Sequence, residues 1–305
     1  MGSHALVSRR RLQQKGKDMN EIPVFFLHGL AYAGLLFLVS AGLTLVFGMM
    51  NVLNFAHAAM YMLGAYFSYS IMMHFTGQFW LSLMVCPAIL FIIGALIERF
   101  LLRRVHKFGH VQELLLTFGL AYIITELVKW YWGNYPLAVN IGGFLGSTIQ
   151  IIGITYPVYR IFIFLCAIFV GTVMALILYK TRLGIILRAA VNDSEMTNTL
   201  GVNVPLVFMG VFAFGAALSG FAGVIAGPLL STFPGMAQEI LLDAFVVIVV
   251  GGFGSLGGAV VASLLIGQLQ SFGVLLFPKL SIALVYLLMA VVLIIKPSGL
   301  FGEEQ

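Results

Sequence analysis

The chain is written as a series of apolar runs: 24–48, 52–73, 79–102, 113–132, 160–179 and 205–230, then 240–276, broken near its middle, and 280–295. A helix of about 20 largely apolar residues crosses a hydrocarbon core roughly 30 Å thick. In lipid every backbone N–H and C=O must find a partner within the protein, and helices provide this within one segment. The runs therefore specify an all-α polytopic membrane protein with about eight or nine transmembrane segments. Hydrophobic residues make up 61% of the chain and charged residues 9%, which leaves no room for a soluble domain. The fold expected is a single transmembrane domain over 19–305. Residues 1–18 read as an appended tag or an extended start, with Met19 as a native initiator.

Polar segments interrupt the runs at three places: the N-terminal stretch, the loop 133–159 and the island 181–204. The island contains 188–202, RAAVNDSEMTNTLGV, which must lie outside hydrocarbon because polar groups are costly within it. No Pro or Gly falls between Arg188 and Leu200, so a short amphipathic helix is expected, closed by Gly201 as its C-cap. Such a helix, fixed between two spans and carrying both charge signs, suits a docking element that transmits a push from a soluble partner. Arg99, Arg103, Arg104 and Lys107 form one basic cluster, and Lys180, Arg182 and Arg188 form another. The excess of Lys and Arg on cytoplasmic loops places both clusters inside. Loop 133–159 then faces out, and its Ile- and Thr-rich part, 147–156, is expected to form a short hairpin. The count of passes leaves the N-terminus outside with nine, or inside with eight if one early segment is re-entrant. The net charge of +5 follows from this loop pattern and gives no sign of nucleic-acid binding.

Two discontinuities fall in the first and last thirds of the chain. One spans 48–58 and holds Asn51, Asn54 and His57; the other spans 251–258 and holds Gly252, Gly254, Ser255 and Gly258. Interrupted helices in corresponding halves point to a transport pathway. Ala216, Ser219, Gly220, Gly223 and Gly227 recur at three- and four-residue intervals and predict close helix packing.

The chain has no phosphate-binding G-x-x-x-x-G-K-[ST] loop, no H-E-x-x-H and no G-x-S-x-G. No catalytic residue and no metal ligand set is expected, and Cys86 and Cys166 read as small packing residues. Charged groups inside spans are few. Glu126 and Lys129 can pair on one helical face. Glu98 and Arg99 are expected to reach water at a span end. Asp243, four residues after Glu239, is expected to stabilise a helix N-terminus or else to contact solute. Carriers coupled to protons or sodium keep carboxylates near the midplane, so their scarcity here favours energy supplied by a separate ATPase.

The motif Arg188-Ala-x-x-x-Asp193-x-Glu195, with Leu200-Gly201-Val202, resembles permease subunits of branched-chain amino acid ABC importers. So do Val250-Gly-Gly-Phe-Gly-Ser-Leu-Gly-Gly258, Pro297-Ser-Gly-Leu-Phe-Gly302, Gly42-Leu-Thr-Leu-Val-Phe-Gly48 and Asn54-Phe-Ala-His57-Ala-Ala-Met-Tyr-Met-Leu-Gly-Ala-Tyr66. The likeness runs from about residue 24 to 302. It departs at Ala58, where Gly is expected, and at Thr197, where Ala is usual. The resemblance implies a second homologous permease, two cytoplasmic ATPase subunits that bring ATP and Mg, and an external solute-binding protein. It makes 188–202 the coupling helix, with Arg188, Asp193, Glu195, Leu200 and Gly201 meeting the ATPase. It sets both breaks beside the pathway. The implied cargo is a branched-chain amino acid or a related small solute such as urea, a short amide or an aromatic acid. The implied location is a bacterial or archaeal inner membrane. The alternative is a stand-alone channel or secondary carrier for a small uncharged or amphipathic solute.

Overall fold

A computed structural model describes residues 2–51, 53–75, 78–151 and 154–302, with side chains from Ile22 onward except those of 151 and 154. The chain is 82% helical. Helix α1 (Gly2–Met50) leads to α2 (Ala56–His74) and α3 (Phe79–Ile97), which continues through a π turn (Glu98–Leu102), α4 (Arg103–Val105) and a 3-10 turn (His106–Phe108). After α5 (His110–Trp132) come strands β1 (Thr148–Ile151) and β2 (Ile154–Pro157). Then follow α6 (Val158–Lys180), α7 (Arg182–Asn192), α8 (Ser194–Thr199), α9 (Val204–Leu230), α10 (Met236–Gly251), α11 (Leu256–Leu276) and α12 (Ser281–Ile295). The strands pair antiparallel, with Ile149 opposite Tyr156, and make the hairpin expected at 147–156.

Among the described residues six helical segments are long and apolar enough to cross a membrane: Ile22–Met50, Phe79–Phe108, His110–Trp132, Val158–Lys180, Val204–Leu230 and Leu256–Leu276. This is fewer than the eight or nine expected. The apolar helices α10 and α12 are short, with 16 and 15 residues. Helix α2 carries His57, three tyrosines and two serines, which dilute its apolar character.

Helix α1 is the axis of the bundle and packs on α11, α9, α6 and α10, while α9 also packs on α2 and α3. The small-residue stripe of α9 makes this possible. A side chain on Gly223 would overlap the Tyr61 carbonyl oxygen of α2, and one on Gly64 of α2 would overlap that of Gly220. In lipid, helices gain little from apolar burial, so such close approach supplies the dispersion that holds them. Asn203 caps α9 by accepting from the Leu206 N–H at 3.1 Å, with Pro205 in the first turn, where its missing N–H costs nothing.

Helices α1 and α11 run antiparallel. Ser271 Oγ donates to the Phe25 carbonyl at 2.6 Å near one end, and Gly48 meets Gly254 at the other. The latter end also carries the ends of α3 and α6, the segment α7–α8 and the start of α9. Both basic clusters sit there, so it is called the basic end. The hairpin and the Leu137–Thr232 bridge lie at the opposite end.

Candidate functional site

At the basic end, the expected single helix over 188–200 is two helices. Asp193 takes extended backbone angles (φ −151°, ψ 95°) and its Oδ1 accepts from the Met196 N–H at 2.8 Å, so it ends α7 and caps α8. The sequence Asn192-Asp193-Ser194 offers side-chain acceptors that compete with helical hydrogen bonding, and this breaks the run. Gly201 does end α8. At φ +89° it donates to the Asn198 carbonyl while Val202 donates to that of Thr197, the two bonds of a Schellman motif. Arg188 is exposed, and its Nη1 donates back to the Leu178 carbonyl at the end of α6. Glu195 is exposed, and Leu200 and Met196 hold 78% and 59% of their surface open. Thr197, on the other face, is buried. Two apolar side chains facing out of a polar segment at a membrane surface form a surface suited to a soluble partner. Beneath α8 a groove of about 360 Å³ separates it from the end of α3, with Glu98, Arg103 and Glu195 on its walls.

The helix breaks meet along the last turns of α1. Asn51 is exposed with φ +52°, a left-handed angle that Asn tolerates. Asn54 and His57 are buried, and the His57 N–H donates to the Asn54 carbonyl at 3.2 Å. His57 Nε2 lies 3.0 Å from the Val39 carbonyl, Ser219 Oγ donates to the His57 carbonyl at 2.6 Å, and Thr117 Oγ1 reaches the Leu53 carbonyl at 3.4 Å. The backbone at and just after the break thus finds side-chain partners on α5 and α9, and the His57 ring ties it to α1. The second break is closed by the C-terminal segment. Leu300 and Phe301 donate to the carbonyls of Val250 and Gly251 at 2.9 and 3.0 Å. Gly252 stands at φ +98° against Gly302. Ser255 Oγ caps α11 by accepting from the Gly258 N–H at 3.0 Å, and Gly258 packs on Gly251. Gly42 touches the His57 ring and Gly48 touches Gly254, so one helix end braces both breaks. Arg188, Asp193, Glu195, Leu200 and Gly201 form a separate group at the basic end.

Two side chains, Glu98 and Asp243, differ from expectation, and a further carboxylate, Glu113, is buried. Glu98 is 3% exposed and does not reach water; Arg103 lies 3.4 Å away, because the π turn rolls the carboxylate under α9. Glu113, unremarked in sequence, is 1% exposed between His106 and His110. Asp243 lies two turns inside α10, too far from its N-terminus at Met236 to cap it, and accepts from Tyr32 Oη at 2.7 Å. The Glu126–Lys129 pair forms as expected, at 2.7 Å. No group of three His, Cys, Asp or Glu among the described residues could hold a metal ion.

The family described as "Branched-chain amino acid transport system / permease component" matches residues 25–295. The chain is 27% identical over 296 residues to the high-affinity branched-chain amino acid transport system permease protein BraD of Pseudomonas aeruginosa, covering 92% of this chain and 95% of that protein. It is 26% identical over 308 residues to LivH of Salmonella typhimurium, a permease protein of the same description, covering 94% and 99%. It is 28% identical over 318 residues to the probable branched-chain amino acid transport permease protein LivH of Methanocaldococcus jannaschii, covering 94% and 95%. No solved structure matches the chain.

Proposed function

Since the chain belongs to the family of branched-chain amino acid transport system permease components, we propose that it is the membrane subunit of an ATP-driven importer carrying a branched-chain amino acid or a related small solute across a bacterial or archaeal inner membrane. The observation that carries this reading is the outward face of α8, where Leu200 and Met196 stand open beside Glu195. That face is the seat for one of two cytoplasmic ATPase subunits, which bind ATP and Mg. A second, homologous permease completes the membrane part, and a solute-binding protein docks outside on 133–159. Asp193 and Gly201 shape the coupling segment, and Arg188 ties it to α6, so a push on α8 reaches the bundle.

The basic end faces the cytoplasm under the positive-inside rule. Consecutive helices alternate in direction, so α2, α10 and α12 join the six long spans as shorter crossings, nine in all, with the start of α1 outside. The breaks at Asn51, Asn54 and His57 and at Gly252, Gly254, Ser255 and Gly258 flank the pathway and open as the helices move. Alternating access requires two conformations that nucleotide and solute bind unequally.

The test is uptake of labelled leucine into proteoliposomes that hold the purified complex, with loaded binding protein outside. Uptake that needs hydrolysable ATP supports the reading. Uptake that proceeds with ADP, down its gradient, overturns it.

A further inference from the structure

Helix α7 turns the chain back against the bundle at the basic end. Thr181 follows α6 and caps α7, its Oγ1 accepting from the Gly184 N–H at 3.4 Å. Gly184 lies so close to the Leu178 carbonyl that any side chain there would overlap it, so α7 folds tightly onto the end of α6. Leu183, Ile186 and Leu187 recur at the spacing of one helical face. That face lines a cavity of about 560 Å³ whose other walls are α1, α3, α6 and α9. Asn203 is the one polar side chain of the lining. Along α9 the lining runs from Leu206 to Phe214, about 12 Å. One leaflet of the hydrocarbon core is roughly 15 Å deep. Leu183 and Leu206, at the end nearest α7, keep 63% and 59% of their surface open. The space is thus an apolar slot, open near the membrane surface and almost one leaflet deep.

Cations stand at its rim. Arg182 precedes Leu183, Lys180 lies two residues past Leu178, and Arg188 Nη1 donates to the carbonyl of Leu178, itself part of the lining. All three are exposed, and none of the ion pairs among the described residues involves them. The Leu178 carbonyl occupies one Arg188 N–H of the five that a guanidinium carries. Basic pockets between membrane helices on the cytoplasmic side suit anionic lipid headgroups. A guanidinium is also the side chain that best matches a phosphate. A free anion would use the rim and leave the slot empty, whereas a phospholipid uses both.

We propose that the cavity between α6, α7 and α9 holds one acyl chain of an anionic phospholipid, with its phosphate on Arg182 and Arg188. Under the orientation given above the lipid belongs to the cytoplasmic leaflet. The site itself depends on neither the cargo nor the ATPase. The chain fills the space between α7 and α9, the helices that flank α8, and so makes a bilayer lipid part of the packing beneath that segment.

Native mass spectrometry tests this on the protein purified with the subunits it retains. The sample is stripped of lipid in detergent and given dioleoylphosphatidylglycerol or dioleoylphosphatidylcholine. The wild type holds the anionic lipid about tenfold more tightly, and Arg182→Gln with Arg188→Gln removes that preference. Gly210 lines the slot, and a side chain there meets nothing within 4 Å, so the ring of Gly210→Phe enters the open space. Its unfolding midpoint stays unchanged while binding of phosphatidylglycerol falls about tenfold, the loss of most of the acyl-chain contact. Equal binding of the two lipids by the wild type overturns the proposal. So does unchanged phosphatidylglycerol binding in Gly210→Phe. Loss of another membrane subunit from that variant, with lipid binding unaltered, gives the cavity to a protein interface and overturns it as well. Should Gly210→Phe fail to fold, the arginine variant decides, and a lipid preference that survives it overturns the proposal.

Discussion

Arg103 Nη2 donates to the Pro205 carbonyl at 2.7 Å, tying α4 to the first turn of α9. The same nitrogen faces Glu98 at 3.4 Å, whose side chain is only 4% exposed. One guanidinium thus holds a helix junction and compensates a buried carboxylate, on the stretch of chain that follows α8. Arg103→Ala leaves Glu98 buried without a cation, and a destabilisation of about 1–3 kcal/mol is expected. Thermal unfolding in detergent checks this. Adding Glu98→Gln should restore much of the loss; a double variant no better than the single one contradicts the compensation.

Glycines of α9 should respond with opposite sign. Gly223→Ala drives a methyl group into the Tyr61 carbonyl oxygen, and forcing α2 and α9 apart is expected to cost about 1–3 kcal/mol. At Gly210 a methyl group meets nothing within 4 Å, so Gly210→Ala should be neutral or stabilise by roughly 0.5–1 kcal/mol through helix propensity. Comparing the two unfolding midpoints tests the packing directly.

The cap of α8 separates shape from charge. Asp193→Asn keeps an oxygen for the Met196 N–H and should leave α8 intact, whereas Asp193→Ala removes it at a cost of about 1 kcal/mol. Hydrogen exchange across 194–199 should quicken in the Ala variant alone. Equal exchange in both variants removes the capping role.

In the proposed importer the exposed face of α8 seats the ATPase, so its side chains should matter for docking and not for the fold. Leu200→Asp should not shift the unfolding midpoint, since the side chain packs on little within the chain. It should weaken retention of the ATPase subunits on a purification column. Glu195→Lys should lower ATP-driven uptake with the fold unchanged. Wild-type ATPase retention by Leu200→Asp would show that this face docks nothing.

Much of this architecture is legible in the sequence because lipid imposes simple rules. Apolar length marks the long spans, and the glycine-rich break at 251–258 divides α10 from α11 as its composition suggests. The stripe on α9 announces close packing, which Gly220 and Gly223 deliver. Other features depend on tertiary placement. Asp193 reads as a charge on a continuous helix, and only its backbone angles reveal a cap. Glu98 sits at a span end, where reaching water is the default, but a π turn buries it. Asp243 lacks any cation or motif in its neighbourhood along the chain, and Tyr32, which donates to it, comes from a helix remote in sequence.

The most direct measurement is purification of the tagged chain from its native membrane in mild detergent, with the co-purifying proteins weighed and identified. The account predicts two ATPase subunits with phosphate-binding loops and a second permease of similar size. A stable, folded chain recovered alone would contradict it.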